Sequence, residues 1–339
     1  MIEFRRLVES STYMNPLDHF EPYEGKVEIR WDPLTGLTAR IVHFASRRAG
    51  RFNPEGVLAS SRAATCPFCP ENVNRMTGRL DRTIFGSEQI EQGEVRIVPN
   101  LLTFDKYSLV AIISGTHYLD MGALVQRGSL AKGITALLEA FSRIREKDER
   151  ARYFSINCNY MPMSGGSLVH PHMHGIAGEW PTNYHRIMLE KSREFSCEAK
   201  SVFWEALEEQ ESLAGERSVA ATGHTFWYTP FAPKGNIDVG CIFREPSFFS
   251  LGAAAWADFG RGLDKVLTYM DRENVPGFNL SLFSAPDGEG HFRVNGRCVA
   301  RRFLPPVNAA DASYFEKIHM ESVCLIAPEE VAGKLREMW

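Results

Sequence analysis

The chain has 339 residues, of which 44% are hydrophobic and 24% are charged, a composition typical of globular proteins. Its formal net charge is −4 and no run of basic residues stands out, so we do not expect broad electrostatic binding to nucleic acid. No apolar run approaches the length of a membrane span, and the N-terminal residues lack the apolar core of a signal peptide. We therefore expect a cytoplasmic protein with no membrane partner.

The first quarter of the chain is predicted from turn signals and composition. Residues 1–25 are polar and irregular and are predicted to form an N-terminal arm. Residues 26–48 are predicted to form a strand, a turn and a second strand, with Asp32 and Gly36 in the turn. Residues 49–92 are rich in Gly, Pro, Asn and Arg and are predicted to be loops.

The rest of the chain has the pattern of two similar units, each made of strands, a helix and more strands. Apolar residues at helical spacing predict the two helices over 129–150 and 254–273. The predicted strands are EVRIVPN, YSLVAIIS and YFSINCNY in the first unit, and TFWYTPF, DVGCIFRE, FNLSLFSAP and HFRVNGRCVARRFL in the second. Residues 187–213 and the final segment APEEVAGKLREMW are predicted to be helical.

A C-x-x-C pair, Cys66 and Cys69, lies in the segment CPFCPEN. In a cytosolic protein such a pair is typical of either zinc binding or redox chemistry. The surrounding Pro and Asn residues favour a loop over the strand-to-helix junction of a redox site, so we favour zinc. A tetrahedral zinc ion needs two further ligands, and histidine is the natural supplier. His117 is one candidate, unless it is an ordinary surface-turn histidine, and one histidine of the segment SLVHPHMHG is the other.

Three histidines, His170, His172 and His174, alternate in that segment, and alternate residues of an extended chain face the same side. A neutral imidazole such as that of His172 can attack phosphorus if its other ring nitrogen is hydrogen-bonded. The preceding MSGGS, residues 163–167, offers backbone N–H groups and hydroxyls to an anion. It is either a phosphate-binding loop or a flexible turn, and the adjoining H-P-H-x-H favours the phosphate loop.

Taken in order, these motifs resemble the galactose-1-phosphate uridylyltransferase branch of the histidine triad superfamily, from about residue 28 to the end. The matching segments are RWDPLTG…SRRAGRF, CPFCPEN, VPNLLTFDKYSLV, SGTHYLD and NCNYMPMSGGSLVHPHMHG. The resemblance implies an α+β fold of two tandem histidine-triad-like units, each an antiparallel sheet with helices. Only the first unit, residues 26–195, is then expected to carry the active site, and the second unit spans residues 196–339.

The resemblance also implies a role for each matching residue. One structural Zn²⁺ would be bound by Cys66, Cys69, His117 and His170. The catalytic residues would be His172 as the nucleophile, with His174 and Ser167. The substrate would be bound by Arg48, Arg51, Asn100, Asn159 and Gly165, although Arg48 and Arg51 judged alone could equally be a solvated basic surface.

The sequence departs from the family pattern at three places. His174 stands where the transferases and phosphorylases have glutamine, and a histidine there is the pattern of histidine-triad hydrolases, which use water as the acceptor. The family's late His-x-His is absent, so no second metal is expected. Lys317 and Val323 stand nearest to the positions that grip the hexose, which argues against galactose exchange. We hypothesise that arginines in the second unit meet a more anionic acceptor, or else form a solvated strand edge: Arg293, Arg297, Arg301 and Arg302.

The expected activity is nucleotidyl transfer from a nucleotide sugar, or a similar diphosphate such as a dinucleotide, to a phosphate acceptor through a covalent bond to His172. A hydrolase or phosphorylase on the same scaffold is the first alternative, possibly within a specialised biosynthetic pathway. A zinc-stabilised binding protein without turnover is the second. Members of the family often form homodimers, so a homodimer is the expected assembly.

Overall fold

The computed structural model describes residues 2–42, 52–304 and 309–339. The predicted phosphate-binding residues Arg48 and Arg51 lie outside the described residues. The elements of the N-terminal part are β1 (Arg6–Asn15), β2 (Glu21–Trp31), β3 (Thr38–Val42), α1 (Glu55–Ala63), α2 (Pro70–Met76) and α3 (Arg82–Phe85).

Two sequence-based predictions for this part are wrong. Residues 1–25, predicted to be irregular, include β1 and the start of β2, which pair as a long antiparallel hairpin. The side chains of β1 are almost all exposed, so the strand has no alternating apolar pattern from which it could be recognised. The predicted loop region 49–92 contains the three helices α1–α3, of which α2 begins with Pro70, where a missing N–H group costs nothing.

The two predicted units follow. The first contains β4 (Ile90–Gln92), β5 (Val95–Pro99), β6 (Tyr107–Ile112), α4 (Met121–Arg127), α5 (Ser129–Lys147), β7 (Tyr153–Tyr160) and β8 (His172–Gly178). Two helices, α6 (Asn183–Ala199) and α7 (Phe203–Ala214), lead to the second unit. That unit contains β9 (Ser218–Ala221), β10 (Thr225–Tyr228), β11 (Asp238–Phe243), α8 (Ala253–Arg272), β12 (Gly277–Ser284) and β13 (Asn295–Arg301). The chain ends with β14 (Phe303–Leu304), β15 (Ala309–Ala310), β16 (Ser322–Cys324) and α9 (Pro328–Arg336).

Within the described residues, the strands of both units form one ten-stranded sheet in the order β4-β5-β6-β8-β7-β12-β13-β11-β10-β9. The first five strands and the last five, read from opposite edges, have the same order, and antiparallel pairing of β7 with β12 joins the two halves. This confirms the predicted α+β fold with two tandem antiparallel units. The unit boundaries predicted from the sequence stay a prediction.

Helices α5 and α8 are amphipathic, and both pack against the sheet through a glycine. A Cβ atom at Gly133 would lie 2.5 Å from Ile113 Cγ2, and one at Gly262 would lie 2.4 Å from the Trp227 ring. Met173 points toward α5, because its sulfur lies 2.9 Å from the same Cβ position of Gly133. Side chains alternate along a strand, so the histidines on either side of Met173 point to the opposite face of the sheet. No described helix is both long enough and apolar enough to cross a bilayer.

Candidate metal centre and active site

The structure brings the four predicted metal ligands together from three separate segments. Cys66 and Cys69 lie just before α2, His117 lies between β6 and α4, and His170 lies two residues before β8. Their ligand atoms all lie within 4.8 Å of one another. The Nδ1 atom of His170 is 3.6 Å from the Cys66 sulfur and 3.7 Å from the Cys69 sulfur, and His117 Nδ1 is 3.3 Å from the Cys69 sulfur.

Hydrogen bonds at the far ring nitrogens orient both histidines for metal binding. His170 Nε2 donates to the carbonyl oxygen of Ser114 at 2.7 Å, and His117 Nε2 lies 2.9 Å from the hydroxyl of Ser61. The Ser114 carbonyl can only accept, so His170 has its Nδ1 lone pair directed at the sulfur atoms; His117 has the same arrangement when the Ser61 hydroxyl accepts from its Nε2–H. His170 is fully buried, and burial lowers its pKa to about 4, so the ring is neutral and able to bind a cation.

Without a bound cation, it is unfavourable to ionise both cysteines. Burial and the adjacent Cys66 raise the pKa of Cys69 to about 12, because two thiolates at this separation repel each other. A bound divalent ion reverses this preference and keeps both sulfurs ionised. The buried side chain of Asn72 donates to the carbonyl oxygen of Cys66 at 2.9 Å, which connects the loop to α2. The donor set and its geometry fit a metal ion.

His172, the predicted nucleophile, is the first residue of β8 and is only 6% exposed. Its Nδ1–H donates to the carbonyl oxygen of His170 at 2.7 Å, which leaves Nε2 as the ring nitrogen with a free lone pair. Burial lowers the pKa of His172 below its ordinary value, so the ring is neutral near pH 7. This is the protonation state that a nitrogen nucleophile requires.

Phe68, between the two cysteines, lies between the Cys/His cluster and His172. Its ring packs edge-on against His170 and His172, with centroid distances of 6.1 and 5.2 Å. The cysteine loop is thereby in direct packing contact with the histidine face of the sheet. Phe68 was not singled out in the sequence, although its place inside the C-x-x-C segment was visible there.

His174 lies on the same face as His172, with their ring centroids 5.0 Å apart. Its Nδ1 atom is buried and has no hydrogen-bond partner among the described residues. Burial, with a smaller contribution from His172, lowers the pKa of His174 to about 4, so the ring is neutral. A buried polar atom without a partner is costly, which makes this nitrogen a natural contact for a substrate.

The predicted phosphate-binding loop joins β7 to β8 and is strongly bent. Met161 and Gly165 both have left-handed backbone angles, φ +70° and +88°. A Cβ atom at Gly166 would lie 3.0 Å from the carbonyl oxygen of Asn159, so the loop needs a small residue there. Gly165 and Ser167 are exposed on this loop, and Asn159 is half-buried at the end of β7.

Asn100 lies in the loop between β5 and β6, where its side-chain oxygen accepts a hydrogen bond from the Leu102 N–H at 3.0 Å. This loop exposes three apolar side chains, Leu101, Leu102 and Phe104. The Phe104 ring lies 6.2 Å from that of His174. The loop therefore presents an apolar surface beside the histidines.

The second unit has no equivalent of the reactive histidines. Strand pairing places His172 opposite Ile112 in the first unit and Asn295 opposite Ile242 in the second, so Asn295 occupies the position of His172. By the same register Arg297 occupies the position of His174. Only the first unit carries the histidine site, as predicted.

The hypothesis that four arginines of the second unit meet an anionic acceptor is not supported by their contacts, because each is bound within the protein. Arg297 is buried and makes a two-pronged ion pair with Asp238. The other partners are Glu205 for Arg293, Asp311 and Asn279 for Arg301, and the carbonyl oxygen of Glu273 for Arg302. They are neither free acceptor ligands nor a simple solvated edge.

No family model matches the sequence. An uncharacterized protein of Archaeoglobus fulgidus is 33% identical over 343 positions, which cover 100% of this chain and 99% of that protein. A GalT-like protein and an ADP-glucose phosphorylase, both from Arabidopsis thaliana, have similar solved structures, with TM-scores of 0.67 and 0.69. They are 17% and 18% identical, each comparison covering 92% of this chain and 98% and 99% of the other. A uridylyltransferase gives a TM-score of 0.64 at 22% identity, over 91% of this chain and 98% of that one.

The chain belongs to the family of the archaeal protein, and its fold is that of the GalT-like protein, the ADP-glucose phosphorylase and the uridylyltransferase.

Proposed function

We propose that the protein is a nucleotidyltransferase that moves a nucleoside monophosphate from a nucleotide sugar, or a similar diphosphate, to a phosphate acceptor through a covalent intermediate on His172. The observation that carries the proposal is the state of this ring. It is buried and neutral, and its Nδ1–H is bound to the carbonyl oxygen of His170. One lone pair, at Nε2, remains for attack on phosphorus.

The chemistry balances without an added acid or base. Nε2 bonds to the α-phosphorus while the bond from that phosphorus to the bridging oxygen breaks, and a sugar phosphate or nucleoside phosphate leaves. The positive charge that develops on the ring is stabilised by the carbonyl oxygen of His170. An oxygen of the acceptor phosphate then attacks the same phosphorus, the bond to Nε2 breaks, and the neutral ring is restored.

The loop residues Gly165 and Ser167, with Asn159, are proposed to stabilise the charge on the transferring group. Hydrogen-bond donors that are already in position before the reaction stabilise the transition state most strongly where charge develops. The exposed ring of Phe104, beside His174, is proposed to contact the nucleoside, and Asn100 to orient this loop through its bond to Leu102.

The metal ion is proposed to be one structural Zn²⁺. In a tetrahedral zinc site with ordinary bond lengths, a sulfur and a nitrogen ligand are about 3.6 Å apart. The corresponding distances here are 3.3, 3.6 and 3.7 Å. All four positions are filled by side chains, so the ion would have no open site for substrate and would act by holding His170 and Phe68 against His172.

A hydrolase or phosphorylase is the second candidate, and the histidine at position 174 in place of the transferases' glutamine supports it; the Nδ1 of this histidine has no partner among the described residues. A histidine at this position can hydrogen-bond an incoming water or inorganic phosphate as readily as the nucleotidyl group. The similar fold of an ADP-glucose phosphorylase is consistent with this reading. A homodimer remains the expected assembly.

Intact-protein mass spectrometry tests the proposal. The protein is incubated briefly with UDP-glucose, ADP-glucose and diadenosine polyphosphates in turn and quenched in alkali, because a phosphoramidate is acid-labile. We expect a nucleoside monophosphate adduct in the wild type and in His224→Ala, a matched change at an exposed histidine, and none in His172→Ala.

An adduct that persists in His172→Ala would contradict the proposed nucleophile. Free monophosphate without an adduct, increased by neither sugar phosphate nor inorganic phosphate, would establish the hydrolase alternative. Product formation that depends on inorganic phosphate would establish the phosphorylase. Neither adduct nor product from any donor would leave the protein as a binding protein.

A further inference from the structure

The second unit contributes a polar side chain to the first unit's site. Asn279 of β12 lies directly opposite Asn159 of β7 in the strand pair that joins the units. Its side-chain Nδ2 donates both to Asn159 Oδ1 at 2.6 Å and to the carbonyl oxygen of Ser164 at 2.9 Å. One amide group thus contacts both a proposed phosphate-binding side chain and the proposed phosphate-binding loop.

The contact with Arg301 determines which end of the Asn279 amide faces Asn159. Arg301 Nη1 lies 2.8 Å from Asn279 Oδ1, and a guanidinium has only donors, so the atom facing it must be the oxygen. The Nδ2 end of Asn279 must then face Asn159 and Ser164, and the carbonyl oxygen of Ser164 can only accept, which agrees. Asp311 pairs with Arg301 at 2.6 Å and holds the guanidinium in place.

The consequence lies at Asn159. Because its Oδ1 is engaged by a donor from Asn279, its Nδ2 group is the end left to donate to a substrate. An asparagine that binds a phosphate must present this end, since its oxygen would repel the anion. Nothing within β7 fixes the orientation of the Asn159 amide, so its orientation is determined by Asn279 of the second unit.

We infer that Asn279 is a positioning residue, oriented by Arg301 and Asp311, which fixes the amide of Asn159 so that its Nδ2 group faces the phosphate of the bound nucleotide. The inference rests on the proposed function. It gives the second unit a definite part in the proposed reaction, because a residue of that unit determines which end of the Asn159 amide faces the substrate.

Asn279→Asp tests the inference, because the change keeps the size of the side chain and its bond with Arg301 but removes the donor. Without that donor, nothing holds the Asn159 oxygen away from the site. We expect adduct formation on His172 to slow by about 100-fold, the usual effect of losing one such donor. We expect affinity for AMP and UMP to fall by about 10-fold or more, with affinity for adenosine and uridine unchanged.

Two further variants separate positioning from general damage. Arg301→Gln should reproduce part of the loss, whereas Arg302→Gln, the same change at the neighbouring arginine that bonds Glu273 instead, should not. In an Asn159→Ala background, Asn279→Asp should have no further effect, because the residue acts through Asn159.

Adduct formation and nucleotide binding by each variant are compared with those of the wild type. If the wild type forms no adduct and binds no nucleotide, the proposed function fails and the inference fails with it. If the wild type reacts but Asn279→Asp retains its rate and affinity, the inference alone is overturned. Equal losses for nucleotide and nucleoside, or additive losses with Asn159→Ala, would also overturn it, since they indicate a general structural effect.

Discussion

His172 combines two properties that a free imidazole in water lacks. Burial keeps the ring neutral, and the carbonyl oxygen of His170 selects the tautomer with a free Nε2. Both properties come from neighbouring backbone and packing rather than from an acidic partner. The chemistry therefore depends on the ring staying uncharged.

The rate of adduct formation should therefore depend on pH through the protonation of the His172 ring. The neutral ring is the reactive form, and its pKa is lowered below the ordinary value of 6.5. As the pH falls from about 8, the rate should still exceed half of its maximum at pH 6.5, and fall to half only at a lower pH, as the pH passes through the lowered pKa. Single-turnover rates of adduct formation across this range check the prediction, with circular dichroism as a control for folding. A rate already halved at pH 6.5 or above would contradict it.

Helix α2 and the C-x-x-C loop form the element on which the active face depends. Cys69 is the residue before α2 and its carbonyl oxygen accepts the N–H of Val73 at 2.9 Å, so the loop and the helix move as one piece. Phe68 extends from this piece to the ring of His172. The conformation of the loop therefore affects the packing of His172, the proposed nucleophile.

Cys69→Ser should remove the metal and loosen this element. We expect about one zinc per chain in the wild type and none in the variant, with the melting temperature lower by roughly 5–10 °C, because metal binding stabilises the folded state. Adduct formation should slow as well, as the packing of Phe68 on His172 is lost. Metal analysis and calorimetry check this. The matched control is Cys197→Ser, at an exposed cysteine. Full zinc content in Cys69→Ser would contradict the proposed centre.

At the scale of the whole molecule, a buried ion-pair network connects parts that are distant in sequence. Glu329 of α9 accepts from Arg30 of β2 at 2.7 Å and from Arg217 at 3.0 Å, and Arg217 also pairs with the fully buried Glu211 of α7 at 3.0 Å. Both guanidinium groups also lie over the ring of Phe231. These ion pairs thus connect the β1–β2 hairpin, the segments around β9 and α7, and the last helix.

Glu211→Ala should lower the free energy of unfolding by about 1–3 kcal/mol, because it removes the hydrogen-bond partner of the buried Arg217 Nε. Arg217 keeps its pairs with Glu216 and Glu329. Burial raises the pKa of Glu211 to about 7, so the contribution of this carboxyl group declines as the pH rises toward 7, and urea unfolding is best measured near pH 5 to 6. The control is Glu209→Ala, an exposed position on the same helix, with an expected change of less than about 0.5 kcal/mol. Equal stability of the two variants would show that the network contributes little.

Local pattern was sufficient for much of the fold, whereas the metal centre was predicted with the help of the family resemblance. Helices α5 and α8 and seven of the ten strands in the large sheet were predicted from apolar spacing and β-rich composition, whereas β4, β8 and β9 were not predicted as strands. The ligands Cys66, Cys69, His117 and His170 were predicted from residue type and resemblance, and the structure brings them together. Strand β1 was missed because its side chains face solvent, so its formation depends on pairing with β2.

The amino-acid sequence by itself determined which residue types are available for chemistry and which segments have a face to bury, since both are local properties. The tertiary structure alone decided how those groups are oriented. It placed Phe68 against His172, gave the arginines of the second unit partners within the protein, and brought Asn279 opposite Asn159 across 120 positions of chain. Long-range strand pairing creates such contacts, and no local pattern records which residues it will bring together.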